Sequence, residues 1–163
     1  MIIFGIDPGY ARIGYGVIEK TSRGIKAIAA GLIETPPTES IPVRLAMLDG
    51  QLAEILRRYK PDAVAVEELF FNTNVTTGIK VAQARGVILV CAIKECGQLY
   101  EYTPLQVKMA LTGNGRAEKK QVQYMVGALL GLKEAPKSDD TADALAVAIC
   151  HANTSEYKHR TLN

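Results

Sequence analysis

Residues 2 to 9 read Ile2-Ile3-Phe4-Gly5-Ile6-Asp7-Pro8-Gly9. The β-branched and aromatic residues at the start of this stretch predict a short buried strand, and Pro8-Gly9 predicts a turn directly after it. Two further strands are predicted downstream, at Gly14 to Ile18 and at Ala27 to Ile33. The chain therefore opens as a three-stranded meander, with the acid Asp7 at the exit of its first strand.

Helical and strand patterns alternate in the rest of the chain. Apolar residues recur at helical spacing from Leu45 to Tyr59, Pro61 ends this helix, and Ala63 to Val66 predicts a fourth strand. The remaining predicted elements are a helix from about Val75 to Cys96, a strand at Leu99 to Tyr102, and helices that begin at Pro104, span Val122 to Leu130 and span Ala142 to Cys150. This order predicts an α/β domain with a mixed five-stranded sheet flanked by helices.

Length and composition favour one globular domain. The chain has 163 residues, of which 48% are apolar and 22% are charged. We expect the domain to cover residues 1–153, with a polar C-terminal tail at 154–163. The sequence has no apolar run near the roughly 20 residues that span a bilayer, and its N-terminus lacks the pattern of a secretory signal. A cytoplasmic protein without membrane insertion is therefore expected.

Charge and cysteine content exclude few classes of function. The net charge of +2 is too small to identify a nucleic-acid binder, although Arg57 to Lys60 and Arg116 to Lys120 can form local positive patches. The three cysteines form no Cys-x-x-Cys pair, and the sequence contains two histidines. No zinc site is predicted, and the thiols are expected to be reduced.

Acidic residues end two of the predicted strands. Asp7 follows the first strand, and Glu67 follows the fourth. If these strands are neighbours, their carboxylates meet at one edge of the sheet. Taken alone, Asp7 before Pro-Gly is equally well explained as turn chemistry, whereas a carboxylate at Glu67 faces either the core or an active site. Glu68 points to the opposite face and is interpreted as solvated or structural.

Three aspartates open the last predicted helix, at Asp139, Asp140 and Asp143. Asp140 and Asp143 lie one turn apart on the same helix face. Taken alone, Asp139 and Asp140 are well explained as capping residues that complement the helix dipole. Asp143 is harder to explain in this way, because it lies among alanine, leucine and valine residues where packing is expected. Three distant segments thus predict one acidic site.

An acidic site of this composition predicts a divalent cation. Several carboxylates in one cleft raise one another's pKa unless a cation compensates. Oxygen ligands without histidine or cysteine suit Mg²⁺ or Mn²⁺. Two such ions about 3.5 to 4 Å apart can activate water and stabilise the leaving oxygen in phosphodiester hydrolysis. We therefore expect phosphodiester hydrolysis with Mg²⁺, for which Mn²⁺ can substitute.

Six short motifs stand in a fixed order along nearly the whole chain. They are Gly5-Ile6-Asp7-Pro8-Gly9 with Gly14-Tyr15-Gly16, Val66-Glu67 with Phe70 and Phe71, Gln83-Ala84-Arg85-Gly86, Gln106-Val107-Lys108, Ala117-Glu118-Lys119 with Gln121-Val122, and Ala142-Asp143-Ala144-Leu145-Ala146. In this order they resemble the bacterial RuvC family of Holliday-junction resolvases. The resemblance implies an RNase H-like (retroviral-integrase-like) fold. It also implies a Mg²⁺-dependent crossover junction endodeoxyribonuclease that resolves four-way DNA junctions by paired symmetric nicks in DNA recombination and repair.

The resemblance assigns roles to four of the acids. It implies that Asp7, Glu67, Asp140 and Asp143 are the catalytic, metal-binding carboxylates, with two ions per site and water as the nucleophile. The products implied are 5′-phosphate and 3′-hydroxyl ends. Asp139 also stands on the acidic face through its i+4 relation to Asp143. Asp140 is favoured over Asp139 only by its position in the family's motif.

Residues that contact DNA are implied in the same way. Lys119 is implied to lie near the scissile phosphate and to stabilise developing charge, unless it is a solvated lysine of the cluster Arg116 to Lys120. Lys108 is implied as a contact to the DNA backbone. Phe70 is implied to stack on an unpaired base at the junction centre, whereas Phe71 is interpreted as packing its loop onto the next helix.

Subunit organisation and partners follow from the substrate. Two nicks in a junction of approximate two-fold symmetry are best made by a two-fold homodimer. Gly78, Ala82 and Gly86 form a face of small residues on the long helix. This face can pack on the protein's own sheet or on a second subunit, and the resemblance favours the second subunit. It also implies delivery of the junction by a RuvA-RuvB branch-migration complex.

Two other functions are compatible with parts of the pattern. Sugar kinases and chaperone ATPases open with a strand and turn similar to those around Asp7, but such nucleotide-phosphate enzymes need two lobes, and this chain is long enough for one. A non-catalytic DNA-binding module has no reason to keep Asp143 within an alanine-rich helix. The sequence therefore predicts a nuclease.

Overall fold

The computed structural model describes residues 1–68, 75–134, 136 and 138–160, with the side chains of 75, 76 and 155–160 excluded. These residues form five strands and five helices. In chain order the elements are β1 (Ile2–Asp7), β2 (Arg12–Thr21), β3 (Gly24–Glu34), α1 (Ile41–Tyr59), β4 (Ala63–Glu67), α2 (Val75–Glu95), β5 (Leu99–Tyr102), α3 (Pro104–Thr112), α4 (Lys119–Leu130) and α5 (Asp139–Arg160).

The strands form one mixed sheet in the order β3-β2-β1-β4-β5. The first three strands are antiparallel, because short turns join them as hairpins. α1 crosses over the sheet before β4, which pairs in parallel with β1, and β5 pairs in parallel with β4 after the crossover through α2. The mixed five-stranded sheet predicted from the sequence is confirmed.

Helices cover both faces of the sheet. One face carries Phe4 and Ile6 of β1 and packs against α1 and α2, while the other carries Ile3 and packs against α3, α4 and α5. The alternation follows from the strand period of two. α5 is enclosed on nearly all sides, since Ala142 and all residues from Ala144 to Ala152 are buried. The alanine-rich sequence of α5 is explained by this central position.

Two glycines let α5 approach the sheet closely. A methyl group on Gly5 of β1 would lie 2.1 Å from the carbonyl oxygen of Ala144, and one on Gly14 of β2 would lie 2.0 Å from the carbonyl oxygen of Asp140. Both distances are far inside van der Waals contact with backbone atoms, so any side chain at these positions would push α5 away. The glycines thereby bring the acidic start of α5 to the end of β1.

Several elements are longer than the sequence pattern predicts. α4 begins three residues earlier than predicted, at Lys119, where the N–H of Glu118 donates a hydrogen bond to Oε1 of Gln121 at 2.9 Å. α5 continues to Arg160 rather than ending near Cys150. The sequence of its last turns is polar, so no apolar repeat at helical spacing predicts them. Within the described ranges, no helix is both long and apolar enough to cross a membrane.

Candidate active site

Asp7 and Glu67 lie side by side at one edge of the sheet. Each is the last residue of its strand, and the parallel pairing of β1 with β4 continues up to Ile6 and Val66. Both acids are half-buried. Because parallel strands end at the same edge, the two carboxylates share one environment, as expected if the strands are neighbours.

The first turns of α5 bring further aspartates to this edge. Asp143 is the most enclosed of them, with a side chain that is 30% exposed, whereas that of Asp139 is 67% exposed. Asp139 accepts a hydrogen bond from Nε2 of Gln123 at 2.8 Å and is therefore drawn towards α4. Oδ2 of Asp140 lies 3.7 Å from Nη2 of Arg12 on β2. Asp140 thus faces β2, whereas Asp139 faces α4.

Two lysines lie beside the carboxylates. Nζ of Lys119 is 3.1 Å from Oδ2 of Asp143 and 3.2 Å from Oδ2 of Asp139. Lys119 and Lys108 both line a cavity of about 200 Å³, together with Glu67, Pro104, Val107, Val122, Asp143 and Ala146. The cavity therefore combines acids from two elements with a lysine from each of α3 and α4, all on the α5 side of the sheet.

Burial and mutual repulsion perturb the strand-end acids. Burial, as the largest cause, and the charges of Glu67, Asp143 and Asp140 together raise the pKa of Asp7 to about 8, while the charge of Lys119 acts in the opposite direction. Burial and the charge of Asp143 likewise raise the pKa of Glu67 to about 7, against the opposing charges of Lys108 and Lys119. Near neutral pH both groups are only partly ionised.

The pKa values of the residues on α4 and α5 follow their contacts. Burial raises the pKa of Asp143 despite the hydrogen bond from Lys119, which acts in the opposite direction. Partial burial lowers the pKa of Lys119, but its hydrogen bonds to Asp143 and Asp139 outweigh this and leave it raised. The hydrogen bonds from Lys119 and Gln123 lower the pKa of exposed Asp139. Hydrogen bonds thus stabilise the ionised form of Asp139, whereas no such side-chain hydrogen bond to Asp7 or Glu67 occurs among the described residues.

The carboxylate oxygens of this site are suitable ligands for a hard divalent cation. Asp7, Glu67, Asp140 and Asp143 offer only carboxylate oxygens, and two of them have pKa values raised to about 8 and about 7, which a nearby cation would lower. Among the described residues, no three Asp, Glu, His or Cys side chains stand close enough to hold one ion together. The ammonium group of Lys119 lies against one of these carboxylates, that of Asp143.

Comparison with known proteins places this site in a family. The family model described as crossover junction endodeoxyribonuclease RuvC matches residues 3–151. The chain belongs to the RuvC family. The resemblance noted from its motifs and the nuclease class predicted from its acids are thereby confirmed. RuvC of Alkaliphilus metalliredigens is 52% identical over 158 residues, which cover 97% of this chain and 96% of that protein.

Solved RuvC structures share the fold over the whole chain. The Thermus thermophilus RuvC structure is 39% identical to this chain and matches it with a TM-score of 0.89. The match covers 97% of each of the two chains. A second structure, T. thermophilus RuvC in complex with Holliday junction substrate, is 37% identical with a TM-score of 0.86 and 96% coverage of both chains. The predicted RNase H-like fold is confirmed by these matches.

Some site residues of this RuvC-family chain are not apparent from its sequence. Arg12, which contacts both Asp140 and Glu34, and Gln123, which contacts Asp139, were not predicted as site residues. Gln123 lies one turn after Lys119 on α4 and therefore on the same helix face, and this spacing could have predicted it as a site residue. Arg12 opens a strand and carries no such signal. Phe70, predicted to stack on a base, lies outside the described residues, as does Phe71.

Proposed function

We propose that this chain resolves Holliday junctions by paired symmetric nicks, through metal-dependent hydrolysis that leaves 5′-phosphate and 3′-hydroxyl ends. The observation that carries the proposal is the convergence of acids from β1, β4 and α5 at the sheet edge, with two lysines in the adjoining cavity. Support comes also from family membership and from the likeness to T. thermophilus RuvC in complex with Holliday junction substrate.

Asp7, Glu67, Asp140 and Asp143 would hold the metal, which we propose to be Mg²⁺, with two ions per site and Mn²⁺ as a substitute. A divalent cation in such a site supplies positive charge that polarises the phosphate and promotes attack by water. The protein positions these acids on rigid elements, namely two strand ends and the first turns of a buried helix. Such placement limits the reorganisation needed during the reaction.

The two lysines would act on the DNA. Asp143 and Asp139 hold the ammonium group of Lys119 at the rim of the cavity, where it can stabilise negative charge that develops on a phosphate. Lys108 lines the same cavity from α3 and is proposed to contact the DNA backbone. Phe70 follows Glu67 by three positions and is proposed to stack on an unpaired base at the crossover.

We propose that two copies of the chain associate through α2. The residues Ile79, Val90 and Ile93 are 57%, 54% and 51% exposed, and they fall on one face of α2 with the exposed residues Ala82 and Gly86. Among the described residues, a methyl group on Gly86 would meet no atom within 4 Å. Within that part of the chain this glycine therefore allows no close approach, and an apolar face with a small residue at its centre suits a second helix. We further propose that a RuvA-RuvB branch-migration complex delivers the junction.

Cleavage of a synthetic mobile four-way junction tests the activity. Duplex and single strands of the same sequence serve as substrate controls, and each is incubated with Mg²⁺ or with EDTA. We expect symmetric nicks on the junction alone, which require Mg²⁺ and are abolished in Asp7→Asn and Asp140→Asn while junction binding survives. Asp139→Asn is the matched variant and is expected to retain cleavage. Near wild-type cutting by Asp7→Asn would refute the metal-site assignment. Loss of cutting in Asp139→Asn, with cutting retained in Asp140→Asn, would make Asp139 rather than Asp140 the ligand on α5.

Sedimentation tests the dimer. Val90→Lys places a charge within the proposed interface and is expected to shift the chain from dimer to monomer, because an unpaired charge in a buried interface is costly. Ile28→Lys is the control, since Ile28 is also exposed but lies on β3, away from α2. A dimer that is equally stable in both variants would exclude this face.

A further inference from the structure

β5 determines where the end of β4 lies. It is an edge strand of four residues, paired only with β4 among the described strands. Its last residue, Tyr102, is in register with Glu67, and the N–H of Glu68 donates a hydrogen bond to the carbonyl oxygen of Tyr102 at 2.8 Å. A shift of β5 would therefore move the backbone of Glu67 directly.

One face of β5 is held by α5. Oη of Tyr102 is hydrogen-bonded to Nδ1 of His151 at 2.7 Å, and the ring of Tyr100 lies with its centroid 4.4 Å from that of the same histidine. Both Tyr102 and His151 are buried. The strand is thus attached to the helix that carries Asp143, and this attachment fixes β5 on one side.

The opposite face of β5 is held by α2 through an ion pair. Side chains alternate along a strand, so Glu101 points away from Tyr100 and Tyr102. Nη2 of Arg85 donates a hydrogen bond to Oε1 of Glu101. The Arg85 side chain is 21% exposed, and within the described part of the chain its Nε is buried without a hydrogen-bond acceptor. Arg85 is also part of a motif, Gln83-Ala84-Arg85-Gly86, that the nuclease chemistry does not use.

Stability alone does not explain such a pair. Removing an arginine largely from water costs free energy, and an unsatisfied Nε adds to that cost, so an apolar pair of similar size would stabilise the fold as well or better. The ion pair does supply direction, because a guanidinium that donates to a carboxylate fixes the position of the strand that carries it. On its α2 side β5 presents only Leu99 and Glu101, since the strand has four residues and its side chains alternate.

We propose that Arg85 and Glu101 are a positioning pair that holds β5 on α2 and thereby sets the position of Glu67. The proposal deepens the proposed function, on which it rests for the role of Glu67 as a metal ligand. α2 also carries the proposed dimer face, so the pair connects the subunit interface with the strand beside the catalytic edge. Among the described residues, the side chains of Arg85 and Glu101 pair with each other and form no ion pair or hydrogen bond with the acids of the site.

Amide hydrogen exchange tests the positioning without any cleavage. In Arg85→Gln, which leaves Glu101 unpaired, we expect exchange at the amide of Glu68 to rise at least tenfold, because its acceptor on Tyr102 is no longer held in place. The control is Arg57→Gln, which breaks another arginine and glutamate pair, between α1 and α2, where Nε of Arg57 donates to Glu95 at 2.8 Å. Unchanged exchange at Glu68 in Arg85→Gln, or an equal rise in both variants, would overturn the proposal.

Kinetics separates positioning from general destabilisation. In Arg85→Gln we expect kcat for junction cleavage to fall at least tenfold while KM stays within twofold, and Arg57→Gln to cleave as the wild type does. The double variant Arg85→Glu with Glu101→Arg restores a pair of opposite charges. It is expected to recover part of kcat and part of the slow amide hydrogen exchange at Glu68. A fall in kcat with a rise in KM and a lower melting temperature, without recovery in the double variant, would show a merely structural pair. If the wild type cuts no junction while the exchange result holds, the proposed function fails and the positioning stands.

Discussion

The ammonium group of Lys119 lies 3.1 Å from a carboxylate oxygen of Asp143 and 3.2 Å from one of Asp139. One cation thus joins the start of α4 to the start of α5 at the cavity that contains Glu67. Asp143 is also a proposed metal ligand, so Lys119 lies beside the proposed metal site and compensates part of the charge of Asp143.

Replacing Lys119 should impair the chemical step. We expect Lys119→Met to lower kcat for junction cleavage about 100- to 1000-fold, as loss of one group that stabilises transition-state charge does elsewhere. The lysine side chain is 52% exposed, so the melting temperature should change little. Single-turnover cleavage beside thermal unfolding measures both. Lys120→Met serves as the neighbouring control, and equal losses in the two variants would contradict a specific role for Lys119.

The stability of the metal-free protein should fall as the pH rises. Asp7 and Glu67 have ordinary pKa values of 3.8 and 4.5, but about 8 and about 7 in the folded protein. Between about pH 4 and pH 8 the folded state keeps protons that the unfolded chain has released, so the free energy of unfolding decreases with pH. Each unit of pKa difference corresponds to about 1.4 kcal/mol.

Thermal unfolding in EDTA measures this dependence. We expect the melting temperature at pH 8.5 to lie at least about 5 °C below that at pH 5.5. Mg²⁺ should restore it at pH 8.5, because the cation binds the ionised acids of the folded state alone. Asp7→Asn should flatten the pH profile and raise the melting temperature at pH 8.5. A melting temperature that is constant or rises over this range would contradict the raised pKa values.

The contact between Gly14 and α5 should tolerate no side chain. In Gly14→Ala the new methyl group would lie 2.0 Å from the carbonyl oxygen of Asp140, so α5 must move or the strand must distort. We expect a loss of about 1 to 3 kcal/mol in stability, as for other overpacked sites, and cleavage reduced more than tenfold. Gly50→Ala in α1 is the control, because a methyl group there meets no atom within 4 Å and alanine favours the helix.

Phe70 should matter for the crossover and not for duplex DNA. If it stacks on an unpaired base, Phe70→Ala should weaken junction cleavage about 5- to 150-fold, which corresponds to about 1 to 3 kcal/mol, with little change in duplex binding. Phe71→Ala is the matched variant and should have a smaller effect on cleavage. Cleavage rates and duplex affinities measured side by side decide the matter, and equal effects of Phe70→Ala on both would remove its proposed role.

The sequence predicts the sheet and the acidic edge better than the contacts within the site. Strand ends at Asp7 and Glu67 are visible because an apolar run stops at each of them. The neighbours of Asp139 are not visible in this way, since its contacts with Lys119 and Gln123 depend on how α4 packs against α5. Arg85 and Glu101 are likewise far apart in sequence and meet only because α2 crosses the edge strand. Local patterns predict elements, whereas tertiary packing decides pairs.

The placement of the last acids on α5 bears on the biosynthesis of this nuclease. A ribosome makes the chain from β1 onwards, so Asp7 and Glu67 emerge long before Asp140 and Asp143. Until α5 has left the exit tunnel and settled on Gly5 and Gly14, half of the proposed ligands are missing from the sheet edge. A nascent chain that still lacks α5 should therefore be unable to damage the chromosome, because this helix supplies two of the four proposed ligands.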